Sequence, residues 1–181
     1  MTEKEPKEKK KRSSKLPVFV TYDDYIRILQ HTTGLHHRMG IMLAFESGLR
    51  ISEVINLRPE NIHLETGIMD IIAGKGNKDR KVQLPIHWCD EVHRPLLPIA
   101  CSKRALQKEF ELACERSGLY KEKPSIHFHS ARHGYATHIY NQGVKIEVVS
   151  KLLGHADVST TMIYTHLNPI DNIKKARGAW K

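Results

Sequence analysis

The chain has 181 residues, of which 40% are hydrophobic and 27% charged, as expected of one globular domain with its own core. It contains no apolar run of membrane-spanning length and no secretory signal, so we expect a cytoplasmic protein. Lys and Arg outnumber Asp and Glu by 29 to 20, which favours a polyanionic partner, nucleic acid first, with a merely basic surface as the alternative. The three cysteines, Cys89, Cys101 and Cys114, lack CxxC spacing and are predicted to be reduced thiols.

Residues 1–15 contain seven Lys or Arg and three Glu with almost nothing apolar, a composition typical of a disordered basic arm. Such an arm follows a phosphate backbone, or it is only a solubilising tail or the remnant of a linker, and its composition leaves these alternatives open. The folded domain is predicted to span residues 16–181.

The predicted fold is mainly α with a small antiparallel β-sheet. Thr21, followed by Asp23 and Asp24, predicts the start of a first helix, because a threonine cap and acidic side chains both stabilise a helix N-terminus. A second helix, 35–47, is expected to end at Gly48. Segments 68–72 and 81–84 flank a polar basic loop and predict a β-hairpin. Further helices are predicted at 52–57, 87–94, 102–117, 130–142, 145–153, 158–165 and 170–178.

Four sequence clusters carry side chains suited to cleaving a phosphodiester without a metal. Such a reaction needs fixed cations on the nonbridging oxygens, a nucleophile, and a proton donor for the leaving oxygen. Arginine suits the first task, because its planar guanidinium makes paired hydrogen bonds to phosphate. In GLRISE, Arg50 lies at a helix junction, and Glu53, one turn on, is placed to hold it. In GKGNKDR, Lys75 and Lys78 lie on the hairpin loop.

The other two clusters add histidines and a tyrosine. HSARH places His129 and Arg132 three residues apart, and therefore on one face of a helix. LGH, which ends in His155, precedes Tyr164 in the segment STTMIYTH.

Together and in this order, GLRISE, GKGNKDR, HSARHGYATH, LGH and the downstream tyrosine resemble the tyrosine recombinase or phage integrase family, including the Xer-type recombinases. The resemblance covers about residues 16–175 and implies the catalytic-domain fold of these DNA breaking-rejoining enzymes. The sequence departs from the family in two ways. Ala131 stands where many members have leucine, which should affect packing alone. Nothing corresponds to the separate N-terminal DNA-binding domain that these recombinases usually carry.

The resemblance implies site-specific DNA recombination by strand cleavage and rejoining, with neither a metal nor another cofactor. Tyr164 would attack the scissile phosphate, forming a 3′-phosphotyrosyl bond and releasing a 5′ hydroxyl. Arg50 and Arg132 would clamp the nonbridging oxygens, and Lys75 would give a proton to the 5′ oxygen.

The remaining candidates have supporting roles in the same comparison. His129 would assist proton movement at the nucleophile, and His155 would hydrogen-bond the phosphate. Glu53 would support the arginines from behind. Lys78 and Arg80 are candidates for DNA contact.

The resemblance also implies a partner, double-stranded DNA, and assembly as a homo-tetramer on that DNA at the nucleoid. Residues 168–181 would either dock on a neighbouring subunit or fold back on their own domain, and the sequence leaves both open.

Each cluster also has an ordinary structural interpretation. Single arginines and loop lysines are most often solvated, and Tyr164 alone would be a packed helix residue. His127, His129 and His133 suggest a zinc site, but no cysteine or carboxylate stands nearby to complete a ligand set. The histidines interpreted as structural or exposed are His36, His37, His133 and His138.

Three other functions deserve comparison with recombination. Residues 146–164 have the pattern of a helix-turn-helix DNA-binding module, but that interpretation leaves Arg50, Lys75 and Arg132 unexplained. A type IB topoisomerase uses a similar set of side chains, although the LGH element and the short chain favour a recombinase. A degenerate relative that binds DNA without cutting it is disfavoured by the complete catalytic set.

Overall fold

A computed structural model describes residues 17–72 and 79–166. Within these ranges the chain is mainly helical with one three-stranded antiparallel sheet, which confirms the predicted fold class. The basic arm 1–15, Lys75, Lys78, the predicted helix 170–178 and the segment 168–181 lie outside the described residues. Of the helices described, none is both long and apolar enough to cross a bilayer.

Among the described residues, the predicted helices and strands occur in the expected order, and the structure adds a short strand at Ile62–His63 and a short helix at Leu119–Glu122 that were not predicted. The helices are α1 Tyr22–His31, α2 Leu35–Glu46, α3 Ile51–Asn56, α4 Asp90–His93, α5 Lys103–Arg116, α6 Leu119–Glu122, α7 His129–Asn141 and α8 Ile146–Leu153. The strands are β1 Ile62–His63, β2 Ile68–Ile71 and β3 Arg80–Gln83. Short 3₁₀ helices lie at Pro59–Asn61, Arg94–Leu96, Val158–Thr160 and Met162–His166.

Two helices begin at side-chain caps, and the structure confirms the one predicted at Thr21. The Thr21 hydroxyl accepts a hydrogen bond from the Asp24 backbone N–H at 3.2 Å, and the Asp24 carboxylate accepts one from the Thr21 N–H at 2.8 Å. This reciprocal capping box satisfies two donors that the helix itself leaves unpaired. Ser102 caps α5 in the same way, accepting from the Ala105 N–H at 3.1 Å.

The segment before Tyr164 differs from its prediction. Residues 158–165, predicted as one α-helix, form two 3₁₀ turns that Thr161 separates. Asp157 caps the first turn by accepting from the Ser159 N–H at 2.8 Å. The run of valine, serine and two threonines that follows Asp157 has low helix propensity, so local side-chain bonding competes with a regular helix.

The sheet is small: two of its strands have four residues and the third has two. Its order is β1-β2-β3, and Met69 pairs with Val82 across the hairpin. Alternate side chains face the core, so Met69, Ile71 and Val82 are buried. β3 begins at Arg80, whose side chain extends toward α8.

Helix α2 forms the centre of the core. Every residue from 39 to 45 is buried, as expected of a helix surrounded on all sides. It packs against α1, α3, α5 and α7. α7 lies close enough to the N-terminal segment for the Val20 N–H to donate to the Ser130 carbonyl at 3.0 Å. This packing sets the start of α7 beside the junction between α2 and α3.

We expect Gly134→Ala to destabilise the protein by about 3 kcal/mol, because a Cβ there overpacks the core. The added atom would lie 2.2 Å from the Val20 carbonyl oxygen and 2.9 Å from the Phe45 ring. Gly40→Ala is the matched control, since it is also a helix-interior glycine. The three atoms nearest to its Cβ would all belong to the Leu106 side chain, with the two methyl carbons at 2.9 Å. Urea unfolding followed by circular dichroism gives both free energies, and equal values would contradict the close approach of α7.

Candidate active site

One buried carboxylate, that of Glu53 on α3, lies among three guanidiniums. Its Oε1 accepts hydrogen bonds from Arg50 at 3.0 Å and Arg80 at 2.8 Å. Its Oε2 accepts from Arg80 at 2.8 Å and from the backbone N–H of Arg50 at 2.7 Å. Arg132 lies 3.8 Å from the same oxygen. Burial raises the pKa of Glu53, but the arginines outweigh burial and lower this pKa to about 2, so the carboxylate is charged at neutral pH.

The same three arginines bind the C-terminal end of α8. Arg80, Arg132 and Arg50 donate, in that order, to the carbonyl oxygens of residues 152, 153 and 154. The first of these bonds is 2.7 Å long and the last 3.0 Å. The last carbonyls of a helix have no partners within it and carry partial negative charge. The guanidiniums satisfy them, and so hold the end of α8 against α3.

Arg132 is the most deeply placed of the three cations. Arg132 is 1% exposed, and its Nη1 also donates to the Gly48 carbonyl oxygen at 2.6 Å. Burial, and next the charge on Arg50, lower the pKa of Arg132 to about 9, while Glu53 acts in the opposite direction. The guanidinium therefore stays charged at neutral pH and joins α7, α8 and the α2–α3 junction.

Tyr164 lies against α7, beside these cations. Its residue is 1% exposed, and its hydroxyl oxygen is 2.8 Å from Nδ1 of His133. The His133 ring in turn meets the His129 ring edge-on, with centroids 4.7 Å apart. One face of α7 therefore presents Arg132 and two imidazoles to the segment that carries the tyrosine.

His155 completes the group of titratable side chains. Its Nδ1 lies 2.8 Å from the hydroxyl of Thr161, a residue that is fully buried. The contact fixes the imidazole between the end of α8 and the turn that leads to Tyr164.

Burial and the arginine charges keep the imidazoles uncharged. Burial and the charge on Arg132 lower the pKa of His129 and that of His155 to about 4 each. Burial and the neighbouring His129 lower the pKa of His133 to about 4. Burial raises the pKa of Tyr164 to about 12, against the opposing effect of Arg132. At neutral pH the site therefore holds charged guanidiniums, neutral imidazoles and a protonated phenol.

The structure brings together most of the side chains that the sequence nominated. Those that meet around the end of α8 are Arg50, Glu53, His129, Arg132, His155 and Tyr164. Lys75, the predicted proton donor, and Lys78 lie outside the described residues. Their roles stay predictions.

Arg80 does not lie where a DNA contact was expected. Its side chain is 8% exposed, and its three guanidinium nitrogens donate to Glu53 and to the Leu152 carbonyl. The reason is the alternation of β3: Lys81 projects outward beside it, whereas Arg80 turns under α8. In this structure Arg80 is an internal support for the other arginines.

His133 is the contact that sequence reasoning missed. It was interpreted as structural or exposed, yet it is the side chain bonded to the Tyr164 hydroxyl. Its spacing from His129 could have identified it. Residues four apart share a helix face, and His129 had already been placed on the face that carries the candidate site.

The zinc interpretation finds no further ligands among the residues that the structure describes. Across residues 17–72 and 79–166, no three His, Cys, Asp or Glu side chains converge as metal ligands would.

Comparison with known proteins gives the family directly. The sequence model of the phage integrase family matches residues 19–170. The chain belongs to the phage integrase family. A curated relative, tyrosine recombinase XerA of Thermococcus kodakarensis, is 30% identical over 181 residues, covering 90% of this chain and 62% of that protein. The chain thus spans less than two thirds of the length of this relative.

Solved structures agree with this membership. The XerH site-specific recombinase, bound to palindromic difH substrate in a post-cleavage complex, matches with a TM-score of 0.70 and 26% identity, over 92% of this chain and 54% of that one. The catalytic domain of bacteriophage HP1 integrase shares the fold, with a TM-score of 0.63 at 24% identity. That match covers 86% of this chain and 97% of that domain.

We expect Glu53→Gln to lower the free energy of unfolding by about 3 kcal/mol, since it leaves three guanidiniums in a buried cluster without their counter-charge. Glu122→Gln is the control. Glu122 pairs with Arg27 at 2.8 Å, but its side chain is 55% exposed, so its removal should change stability little. Chemical unfolding measures both variants, and a Glu53→Gln protein as stable as the wild type would contradict the central role of this carboxylate.

The lowered histidine pKa values predict how stability depends on pH. Between pH 6.5 and 4 the unfolded chain binds protons that the folded chain does not take up, so the free energy of unfolding should fall as the pH falls through this window. Above pH 6.5 this contribution is fully present. His129→Asn should reduce the pH dependence by about one proton, because one of the depressed imidazoles is gone. Unfolding curves across this range test the prediction, which an unchanged slope would refute.

Proposed function

We propose that this chain is the catalytic domain of a tyrosine site-specific recombinase, which cuts and rejoins DNA through a 3′-phosphotyrosyl bond to Tyr164. The observation that supports this most strongly is the position of the Tyr164 hydroxyl, which lies within the field of the Arg132 guanidinium and is hydrogen-bonded to an imidazole. A nucleophile and a fixed cation therefore occupy one site, as attack on a phosphodiester requires.

The cations of the site suit the charge that develops on the phosphate. Arg132 is held in place by two backbone carbonyls, and Arg50 by Glu53 and a third carbonyl. Guanidiniums fixed before the substrate arrives need no reorganisation in the transition state, which is where their stabilisation counts. The Arg50 side chain is 26% exposed, so it is the guanidinium that an incoming phosphate meets first.

His155 fits the role of a hydrogen-bond donor to the phosphate. When the Thr161 hydroxyl donates to Nδ1, the single proton of the neutral ring lies on Nε2. That nitrogen then donates to a phosphate oxygen. Lys75 completes the reaction in this proposal, giving its proton to the departing 5′ oxygen.

The proposed partner is double-stranded DNA, on which four copies would assemble at the nucleoid. The excess of basic residues supports binding to a polyanion, and the XerH relative was crystallised on its DNA substrate. The proposed activity is that of the catalytic domain, because the chain covers 62% of the XerA relative. The helix-turn-helix alternative is weaker, since its second helix is replaced by two short 3₁₀ turns, Val158–Thr160 and Met162–His166, which are too short to lie along a DNA groove.

We expect the protein to form a covalent adduct with a DNA duplex that carries a recombination site and a nick beside the cleavage position. The nick lets the short cleaved strand diffuse away, which traps the phosphotyrosyl bond. A denaturing gel separates the adduct from free DNA. Tyr164→Phe should abolish the adduct, and an adduct that survives this change would refute the assignment of the nucleophile.

A second pair of variants tests the cations. Arg50→Lys keeps the charge but loses the planar fork, so adduct formation should slow by about 100-fold while DNA binding is largely retained. Arg27→Lys is the control, because Arg27 bonds to Glu122 and to the Ser117 carbonyl oxygen and to none of the candidate catalytic side chains, and it should react at the wild-type rate. A wild-type rate of adduct formation by Arg50→Lys would contradict the proposed role of the Arg50 guanidinium.

A further inference from the structure

Two histidines on α7 are available to take the proton of Tyr164, and the structure distinguishes them. Nδ1 of His133 lies 2.8 Å from the phenolic oxygen, with the two ring centroids 5.8 Å apart and the planes inclined by 52°. His129, the residue that the family comparison favours, meets the ring of His133. Among the described residues it makes no hydrogen bond to Tyr164. His133 is therefore the imidazole in contact with the reacting atom.

The direction of this hydrogen bond depends on the protonation of the phenol and on the tautomer of the imidazole. Burial raises the pKa of Tyr164 to about 12, so the phenol keeps its proton at neutral pH and has it to donate. Burial lowers the pKa of His133 to about 4, so the ring is neutral, and in the tautomer that carries its proton on Nε2 the Nδ1 atom accepts from the phenol. The O–H bond thus points at a basic nitrogen before any substrate arrives, and one lone pair of the oxygen stays free for phosphorus.

We propose that His133 is the general base of the cleavage step, taking the proton of the Tyr164 hydroxyl as that oxygen attacks the phosphate. The bond from the Tyr164 oxygen to phosphorus forms while the O–H bond breaks, and the proton passes to Nδ1 of His133, giving an imidazolium. The bond from phosphorus to the 5′ oxygen breaks with its electron pair, and that oxygen takes a proton from a separate acid. Rejoining reverses each transfer. The inference rests on the proposed function and replaces His129 in one of its roles.

The charges that surround His133 explain why substrate would activate it. The groups that act on its ring are His127, His129, Arg132, His155 and the hydroxyl of Tyr164. Apart from the phenol, each of these neighbours lowers the pKa of His133 and so disfavours the imidazolium. A bound phosphodiester brings negative charge into this group and offsets the guanidiniums, which raises the basicity of the imidazole. The base is therefore weak in the free protein and becomes stronger when a phosphate is in place.

His133→Asn is the variant that tests this role. The asparagine Oδ1 takes the place of Nδ1 and still accepts the hydrogen bond, but an amide does not take up the proton. We expect DNA binding to persist and the first-order rate of adduct formation on the nicked duplex to fall by about 100-fold. His138→Asn, an exposed position on the same helix, is the matched control and should react normally.

The pH profile separates a base from a structural support. The wild-type rate should reach a plateau near neutral pH, once His133 is unprotonated in the complex. The rate of His133→Asn should keep rising with pH, because the phenol must then lose its proton to solvent before it attacks. A variant that only weakened packing would react more slowly but keep the plateau.

A substrate with sulfur in place of the bridging 5′ oxygen locates the defect. Sulfur leaves without needing a proton, so this DNA should restore cleavage by a Lys75→Ala protein. It should not restore His133→Asn, whose defect lies on the nucleophile. Rescue of His133→Asn by the sulfur substrate would overturn the proposal.

The remaining outcomes are also decisive. Wild-type rate and profile in His133→Asn would overturn the proposal, and a continuously rising profile in His129→Asn alone would assign the base to His129. If His133→Asn does not fold, ¹⁵N-histidine spectra of the wild type and Tyr164→Phe provide the test. Loss of the phenol should shift the Nδ1 resonance of His133, and no shift would refute the contact. Failure of the wild type to form any adduct would instead refute the proposed function, and this inference with it.

Discussion

The site depends on one carboxylate. Glu53 holds Arg50 and Arg80 by direct hydrogen bonds and lies 3.8 Å from Arg132. Without Glu53, three guanidiniums at such short distances would repel one another and form a buried cluster that has no counter-charge. With Glu53 at their centre they become a rigid unit. That unit reaches across to the end of α8, so a single side chain on α3 fixes the arginines that hold α8 in place.

The neutral histidines follow from the same arrangement. A net positive cluster disfavours further positive charge, so burial and the guanidiniums together lower the pKa of each imidazole near it. The arginines therefore carry the permanent charge of the cluster, and the histidines stay uncharged at neutral pH. The three guanidiniums carry more positive charge than Glu53 balances, an arrangement that suits an anion.

Sequence reasoning succeeded where the signal was local. The Thr21 cap, the hairpin and the pairing of Arg50 with Glu53 depend on residues within a few positions of one another. Sequence reasoning failed where the position of a side chain depends on partners that are distant in the sequence. Nothing in the basic loop distinguishes Arg80, which turns inward to Glu53 and α8, from an arginine that faces solvent. The contact between His133 and Tyr164 joins residues 31 apart, and only the packing of the last turns against α7 reveals it.

The end of α8 has a consequence for the field inside the site. The C-terminus of a helix carries partial negative charge, so a phosphate would ordinarily be repelled from the position that Gly154 and His155 border. Here three guanidiniums lie on the carbonyls of residues 152 to 154 and reverse the sign of that potential. The proposed phosphate site thus lies at the pole of a helix that would ordinarily repel an anion. The carbonyls that would cause this repulsion are the groups that orient the arginines.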